Sequence, residues 1–425
     1  MAELSKLALA AAMALAVATP SANAEPNPVT APDVVTALEG AYGVHPGRRR
    51  NHTKGMCALG SFVGTPEAAS YSRSALFSGS TIPVVARFSL AGGNPKAADT
   101  EKSPRGMALE FRLSDGSKQH MTMLNTPMFF AAMPRTFLDK MLALKPDPAT
   151  GKPNPEALKA FAATHPDNKR QADFLAANNP PPSYANTSYY GIHTFKFIDK
   201  ANETTLVKWR FDPEDGQKEL TDAELKSMPA DFLEQALIER TKQGPVRWDM
   251  WITIGEPGDP ETDPTLLWPK GRKEVKAGTL TFTAAMPQDG AECKSINYDP
   301  LVMSDGIAPT DDPVLLFRSP SYAVSFVKRL QGRPCKLLST RAFPSCVVLQ
   351  SRANAGSQQS NHRQASSKLL YEPLSKIGIS VHSPISPAPH ADSPASRRRA
   401  APPARWRAPT MRHAARRVAG VRRRR

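Results

Sequence analysis

The chain has 425 residues, of which 22% are charged and 40% are hydrophobic, and its formal net charge at pH 7 is +16. No apolar run is long enough to span a bilayer as a helix. H-E-x-x-H, P-loop and G-x-G-x-x-G motifs are absent, so the sequence gives no local support for a zinc protease, a nucleotide hydrolase or a dinucleotide dehydrogenase.

The first 24 residues have the features of a secretory signal peptide. Lys6 precedes an apolar run from Leu7 to Ala18, and Ala22-Asn23-Ala24 supplies the small residues of a cleavage site. An uncleaved anchor and a fortuitous alanine-rich start are the alternatives. We expect residues 1–24 to be a signal peptide and the mature protein to be periplasmic or secreted.

One globular domain is predicted over residues 25–332. Short helical segments are expected in residues 31–80, the first being Ala31–Gly40. Further helices are predicted at Pro134–Leu144, Pro155–Ala163, Lys169–Asn178 and Thr221–Thr241. Strands are predicted at Ile82–Ser89, Met107–Leu113, Gln119–Leu124, Ile192–Phe197, Thr205–Phe211, Arg247–Ile254 and Gly278–Ala284. This order favours an α+β fold, with helices inserted between the strands of an antiparallel barrel or sandwich.

A tyrosine lies one helical turn after an arginine near the end of this domain. The spacing in Arg318-Ser-Pro-Ser-Tyr322 puts both side chains on one helix face, and Arg329 returns to that face seven residues later. Because an unperturbed tyrosine titrates at about 10, it needs a neighbouring cation to bind a metal ion as the phenolate at neutral pH. A surface helix with ordinary ion pairs has the same spacing, so this pattern alone does not decide the function.

Several other segments, in a fixed order with this one, resemble the catalase family. They are Arg49–Gly55 (RRNHTKG), Val85–Ser89, Ala98–Gly106, Asn125–Phe130, Gly191–Lys196, Asp263–Pro269, Asp299-Pro300 and Gly306–Pro309. The resemblance covers about residues 35–330, and the chain is shorter than a full catalase and looks like its compact relatives, the catalase-related peroxidases. It implies a catalase-type antiparallel barrel that binds haem b against its outer side.

The resemblance also implies roles for individual residues. Tyr322 would be the axial ligand of the haem iron, with Arg318 as its charge partner. His52 would be the acid/base that moves the proton of peroxide, and Ser89 would orient it. The remaining expected haem contacts are Arg49, Arg87 and Arg329 at the propionates and Phe129, Phe130 and Phe137 along the pocket.

Two positions depart from the family pattern or leave it incomplete. Catalases carry two consecutive asparagines before Thr-Pro, and the first of them faces peroxide, but here the pair is Leu124-Asn125. Asn125 is a doubtful catalytic residue, because it could take the role only if the backbone shifted by one residue, which would turn it to the other face of a strand. His193 matches a position associated with nicotinamide dinucleotide binding, but we expect it to have a structural role within a strand.

Four cysteines are present, Cys57 and Cys293 in the domain and Cys335 and Cys346 beyond it. No C-x-x-C pair occurs, and no histidine lies at zinc-ligand spacing from them. We expect Cys57 and Cys293 to be separate buried thiols, and a disulfide between them is the alternative.

The positive charge is concentrated after residue 332. Residues 333–425 hold 19 of the 55 lysines and arginines but only 2 of the 39 acidic residues, and they are rich in Pro, Ser and Ala. This composition predicts a disordered tail. Such a tail could attract nucleic acid or an anionic membrane, but the abrupt change favours readthrough or a shifted reading frame, and we expect no specific nucleic-acid partner.

The predicted function is that of an enzyme, an exported haem peroxidase. It would reduce hydrogen peroxide or small organic hydroperoxides with an organic reductant, and it would have weak catalase activity at most. The alternatives are a hydroperoxide isomerase of the allene oxide synthase type and a non-catalytic haem-binding protein. We expect a monomer or a small homo-oligomer.

Overall fold

The computed structural model describes residues 28–331. The predicted signal peptide, the predicted tail and the two cysteines in that tail lie outside the described residues. Within residues 28–331, no helix has both the length and the apolar character needed to cross a membrane.

Within residues 28–331, ten strands form one antiparallel sheet. They are β1 (Gly55–Gly64), β2 (Thr81–Leu90), β3 (Arg105–Arg112), β4 (Lys118–Leu124), β5 (Tyr189–Tyr190), β6 (Phe195–Ile198), β7 (Thr204–Pro213), β8 (Val246–Ile254), β9 (Glu274–Pro287) and β10 (Ile307–Pro309). Eight of them close a barrel in the order β1-β2-β3-β4-β5-β7-β8-β9, with β9 returning to β1. β6 also pairs with β7, and β10 pairs with β6. The predicted α+β fold with an antiparallel barrel is confirmed.

Seven α-helices accompany the barrel in the described part of the chain. They are α1 (Ala31–Tyr42), α2 (Pro134–Ala143), α3 (Pro155–Thr164), α4 (Lys169–Ala177), α5 (Asp222–Ser227), α6 (Phe232–Lys242) and α7 (Pro313–Gln331). The single helix predicted at Thr221–Thr241 is wrong, because the chain forms α5 and α6 there. Pro229 lies between them, and proline disfavours helical geometry in the residue before it.

The prediction of short helices over residues 31–80 missed strand β1. Its sequence, GMCALGSFVG, contains three glycines, which weaken the usual strand signal. Gly60 is required by packing, because a Cβ atom there would lie 1.9 Å from the carbonyl oxygen of Thr281 in β9. This close approach coincides with an irregularity in the β1–β9 register between Leu59 and Gly60.

Large aromatic side chains fill the barrel. Phe88 of β2 contacts the rings of Tyr184, Tyr189, Trp248 and Phe282, with centroid distances between 5.2 and 5.9 Å. Because successive side chains of a strand point to opposite faces, the neighbours of Phe88 in β2 point away from this core.

Helices α1, α2 and α7 pack together outside the barrel around a second apolar cluster. Val34 and Leu38 of α1 belong to this cluster with Met141 of α2, and Phe317 of α7 packs against it. Glu39 of α1 also forms a 2.6 Å ion pair with Lys328 of α7. These contacts hold the three helices over one side of the barrel.

Candidate active site

A cavity of about 530 Å³ lies between the outer face of the barrel and helices α1, α2 and α7. Strands β2, β3 and β4 contribute to its wall, and so does helix α4. Eight of the nine predicted site residues line it: Arg49, His52, Arg87, Ser89, Phe130, Arg318, Tyr322 and Arg329. Phe129 and Phe137 line it as well. The structure thus brings together residues that are up to 280 positions apart in the sequence.

Arg318 and Tyr322 contact each other directly on α7. The guanidinium Nη2 of Arg318 donates a hydrogen bond to the hydroxyl oxygen of Tyr322 at 2.9 Å. The same nitrogen donates to Thr122 Oγ1 of β4 at 2.5 Å. The four-residue spacing on the helix produces the first contact, and the second fixes the arginine against the barrel.

Asp312 fixes the start of this helix. Its Oδ1 accepts hydrogen bonds from the backbone N–H groups of Val314 and Leu315, as an N-cap does. Its Oδ2 lies 2.6 Å from Nδ1 of His193, which is buried. Burial lowers the pKa of His193, although Asp312 opposes that shift.

His193 is therefore structural, as expected, but it lies in the loop before β6 rather than within the predicted strand. The contact of Asp312 with His193 has no signal in the sequence. The Asp311-Asp312-Pro313 order indicates only a helix start, because nothing in the sequence links Asp312 to a histidine 119 positions earlier.

His52 lies over the outer face of β2 and β3. Its Nδ1 is 3.0 Å from Ser89 Oγ, which leaves Nε2 as the nitrogen that can exchange a proton in the cavity. The backbone of His52 has a φ of 52°, in the left-handed region. Asn51 supports this conformation, because its Oδ1 accepts hydrogen bonds from the N–H groups of His52 and Gly92 at 2.9 Å each.

The electrostatic surroundings keep His52 neutral. Burial lowers its pKa to about 3, and the positive charges of Arg87, Arg318 and Arg49 act in the same direction. A neutral imidazole is a proton acceptor, so His52 is in the protonation state that a base requires at pH 7.

A row of residues across three strands creates the space for His52. Ser89 of β2 is opposite Gly106 of β3, and Gly106 is opposite Leu124 of β4. A Cβ atom at Gly106 would lie 2.9 Å from Ser89 Oγ and 3.1 Å from the His52 ring. A glycine is therefore needed at this position for the histidine to lie against the sheet.

Leu124, not Asn125, contributes to the cavity at the end of this row. The Oδ1 of Asn125 accepts a hydrogen bond from the backbone N–H of Arg105 at 2.7 Å, and its Nδ2 is 3.5 Å from Thr187 Oγ1. The doubtful assignment of Asn125 as a catalytic residue is thus corrected. The strand keeps its regular register, so the shift that would have turned Asn125 inward does not occur.

Three arginines converge on one end of the cavity. Arg49 donates to the carbonyl oxygens of Cys293 at 3.1 Å and Ile296 at 2.5 Å, and Arg329 donates to the carbonyl of Ile296 at 3.4 Å. Arg87 donates to Gln288 Oε1 at 2.9 Å. Burial lowers the pKa of Arg49 to about 9 and that of Arg87 to about 10.

Arg49 and Arg87 form no ion pair with a carboxylate of residues 28–331. Buried cations without a counter-ion are costly in isolation. Such a pair is suited to receive the carboxylates of a bound group.

A disulfide joins Cys57 of β1 to Cys293, with the Cα atoms 5.6 Å apart. The expectation of separate thiols was wrong. β1 pairs with β9, and the short turn that carries Cys293 follows β9, so the register of two strands brings the cysteines together. The bond also anchors the segment whose carbonyl groups accept hydrogen bonds from Arg49.

The catalase family model matches residues 46–376. The chain belongs to the catalase family. The predicted enzyme class, an oxidoreductase acting on peroxide, is confirmed with it. The match runs past residue 332, and the predicted boundary of the tail at that residue stays a prediction.

Two relatives have nearly the length of this domain. The chain is 62% identical over 304 residues to a catalase-related peroxidase of Synechococcus elongatus, and the alignment covers 72% of this chain and 90% of that protein. It is 33% identical over 298 residues to a catalase-related peroxidase of Mycolicibacterium paratuberculosis, covering 70% of this chain and 94% of that protein.

Solved catalase structures share the fold. A fungal catalase superimposes with a TM-score of 0.62 at 25% identity, covering 67% of this chain and 60% of the other. Catalase A from Saccharomyces cerevisiae superimposes with a TM-score of 0.63 at 26% identity, covering 67% and 62%. The chain thus spans about three-fifths of the length of these catalases.

Membership of this family implies haem, and the side chains of the cavity fit it. Tyr322 offers an oxygen ligand beside a guanidinium, and Arg49 and Arg87 offer buried positive charge for carboxylates. Aromatic side chains supply apolar surface for a flat ring.

Proposed function

We propose that this protein is an exported haem b peroxidase that reduces hydrogen peroxide or small organic hydroperoxides with an organic donor. The observation that carries the proposal is Leu124, which lines the cavity in the cross-strand row with Ser89, while His52, Arg318 and Tyr322 are all present. Without an amide at that position, the site lacks a donor to hold a second peroxide as the reductant.

In the proposed reaction, one peroxide molecule takes up two electrons and two protons and gives two molecules of water; an organic hydroperoxide gives water and an alcohol. The electrons come from the organic donor, which is oxidised. Haem, when bound, would supply the iron at which the oxygen–oxygen bond breaks, with Tyr322 as its ligand and the arginines at its carboxylates.

His52 would move the proton in this reaction. Its neutral Nε2 would accept the proton from one peroxide oxygen and return it to the other, which leaves as water or an alcohol. Ser89 holds Nδ1 at 3.0 Å, so the ring keeps one orientation during both transfers. Leu124 can make no hydrogen bond to peroxide, and removal of one such donor costs about 2.7–4 kcal/mol in comparable oxyanion sites.

Export is supported by two independent features. Residues 1–24 have the pattern of a secretory signal. The Cys57–Cys293 disulfide is of the kind that persists in oxidising compartments such as the periplasm. Mass spectrometry of the secreted fraction tests the proposal, with a mature chain beginning at Glu25 as the expected result.

Assays of the purified haem-loaded protein test the reaction type. We expect hydrogen peroxide to be consumed with oxidation of an aromatic donor and with little release of oxygen. Strong oxygen release without a donor would indicate a catalase, and conversion of a lipid hydroperoxide without a donor would indicate an isomerase. Inertness in every assay would indicate a haem-binding protein.

A further inference from the structure

The cavity wall carries more cationic side chains than the proposed haem contacts use. Six lining residues are cationic, namely Arg49, Arg87, Lys102, Lys140, Arg318 and Arg329, and no described lining residue is Asp or Glu. In the proposed function, the arginines serve the two haem carboxylates and the phenolate. Lys102 and Lys140 have no part in that arrangement.

The two lysines are fixed at opposite ends of helix α4. Lys140 Nζ donates to Asn168 Oδ1 at 2.8 Å, immediately before the helix, and Lys102 Nζ donates to the carbonyl of Ala176 at 2.7 Å, in its last turn. At 1.5 Å of rise per residue, these anchor points are about 12 Å apart. Gln171 and Leu175 of α4 line the cavity between them.

Lys140 is a half-buried cation on an aromatic surface. Its Nζ is 3.9 Å from the centroid of the Phe130 ring, which contacts Phe129 and Phe137 at centroid distances of 4.5 and 5.4 Å. No ion pair within residues 28–331 includes Lys140 or Lys102. Burial lowers the pKa of Lys140 to about 8, so most of it still carries a charge at pH 7.

We propose that Lys140 binds the carboxylate of a substrate whose apolar body lies along Phe129, Phe130 and Phe137, and that Lys102, at the other end of α4, adds positive charge to the same wall. Asp167 attracts the ammonium group of Lys140 but forms no ion pair with it, so a substrate carboxylate would be the close counter-ion of this half-buried lysine. An aromatic carboxylic acid acting as the donor and a fatty-acid hydroperoxide acting as the oxidant have this shared chemistry. The inference rests on the proposed function and specifies its substrate class.

The test compares each acid with its uncharged methyl ester on the haem-loaded protein. One pair is 3-(4-hydroxyphenyl)propanoate and its ester, assayed as donors with hydrogen peroxide. The other is a linoleic acid hydroperoxide and its ester, assayed as oxidants with a neutral phenol. Calorimetric Kd values, measured for the phenolic pair without peroxide, give a readout that does not depend on turnover.

We expect the wild-type protein to prefer the acid of at least one pair by about tenfold or more in kcat/KM, because hydrogen bonds to charged partners are worth that much. If the phenolic acid is the preferred substrate, its Kd should be lower than that of its ester by a similar factor. Lys140→Met and Lys102→Met should each reduce the preference, and Lys140→Arg should retain much of it. Lys159→Met is the matched control, since Lys159 is exposed on α3 and does not line the cavity. Lys102 is exposed, so its substitution should leave the fold intact.

The pair that shows the preference identifies whether the anionic ligand is the donor or the oxidant. Equal kcat/KM and Kd for acid and ester in both pairs would overturn the inference, as would a preference that survives both methionine substitutions. If the inference is overturned but the enzyme still turns over the esters, the proposed peroxidase function stands. If the enzyme turns over none of the four compounds, the proposed function is contradicted.

Discussion

The interior of the barrel and the cavity on its outer face differ sharply in chemistry, although the same strands build both. Phe88 of β2 points into a core of aromatic rings, whereas Arg87 and Ser89 on either side of it line the cavity. Side-chain alternation along a strand puts them on opposite faces. Stability and chemistry are thus encoded at alternate positions, and substitutions on the two faces should have separable effects.

The largest effect is expected from Tyr322→Phe, on the cavity side. Phenylalanine keeps the shape of the ring but has no oxygen to bind iron, so stable ferric haem ligation should be lost, and peroxide turnover with it. Visible spectra and haem occupancy measure this directly. Tyr190→Phe is the control, since Tyr190 lies outside the cavity. An unchanged spectrum in Tyr322→Phe would eliminate Tyr322 as the ligand.

His52→Ala should retain haem and lose peroxide cleavage. General acid/base assistance contributes a factor of about 10²–10⁴, so the rate of reaction with peroxide in stopped flow should fall by that factor. His45→Ala is the matched control, because His45 does not line the cavity. A fall of less than severalfold would refute the assigned role and move the search to other histidines.

Phe282→Ala tests the barrel side of the comparison. Phe282 is fully buried, and truncation of a buried aromatic side chain costs about 3–5 kcal/mol in the free energy of unfolding. Urea denaturation should show this loss. The fraction that remains folded should react with peroxide at a rate near that of wild type, and a large fall in that rate would contradict the separation of the two faces.

Leu124→Asn should raise catalase activity by restoring an amide beside His52. A single donor in an oxyanion site is worth a factor of about 10²–10³, and we expect at least about tenfold faster oxygen release, since a new side chain is imperfectly positioned. Leu124→Met keeps an apolar side chain and should behave as wild type. No gain in oxygen release would show that another feature limits catalase activity.

The smallest effect concerns pH. With the pKa of His52 lowered to about 3, the fraction of protonated imidazole at pH 5 is about 1%. An unperturbed histidine, with a pKa of about 6.5, would be almost wholly protonated there and unable to accept a proton. The rate of reaction with peroxide should therefore change less than about twofold between pH 5 and 8. A fall centred near pH 6.5 would show that the cavity does not depress this pKa.

The sequence by itself determined the features that depend on residues close together in the chain or on the order of its motifs. Arg318 and Tyr322 meet because residues four apart on a helix are neighbours, and the sequence order of several segments indicated the family and the barrel. Pro229, which separates α5 from α6, is likewise a local signal in the sequence.

Only the tertiary structure decided the contacts between distant residues. Strand register brought Ser89 and Gly106 beside His52, kept Asn125 out of the cavity and joined Cys57 to Cys293. The path of α4 put Lys102 and Lys140 on one wall. These outcomes depend on strand pairing and helix packing across long separations, and the residue types involved are also common on ordinary surfaces, so no local pattern could have revealed them.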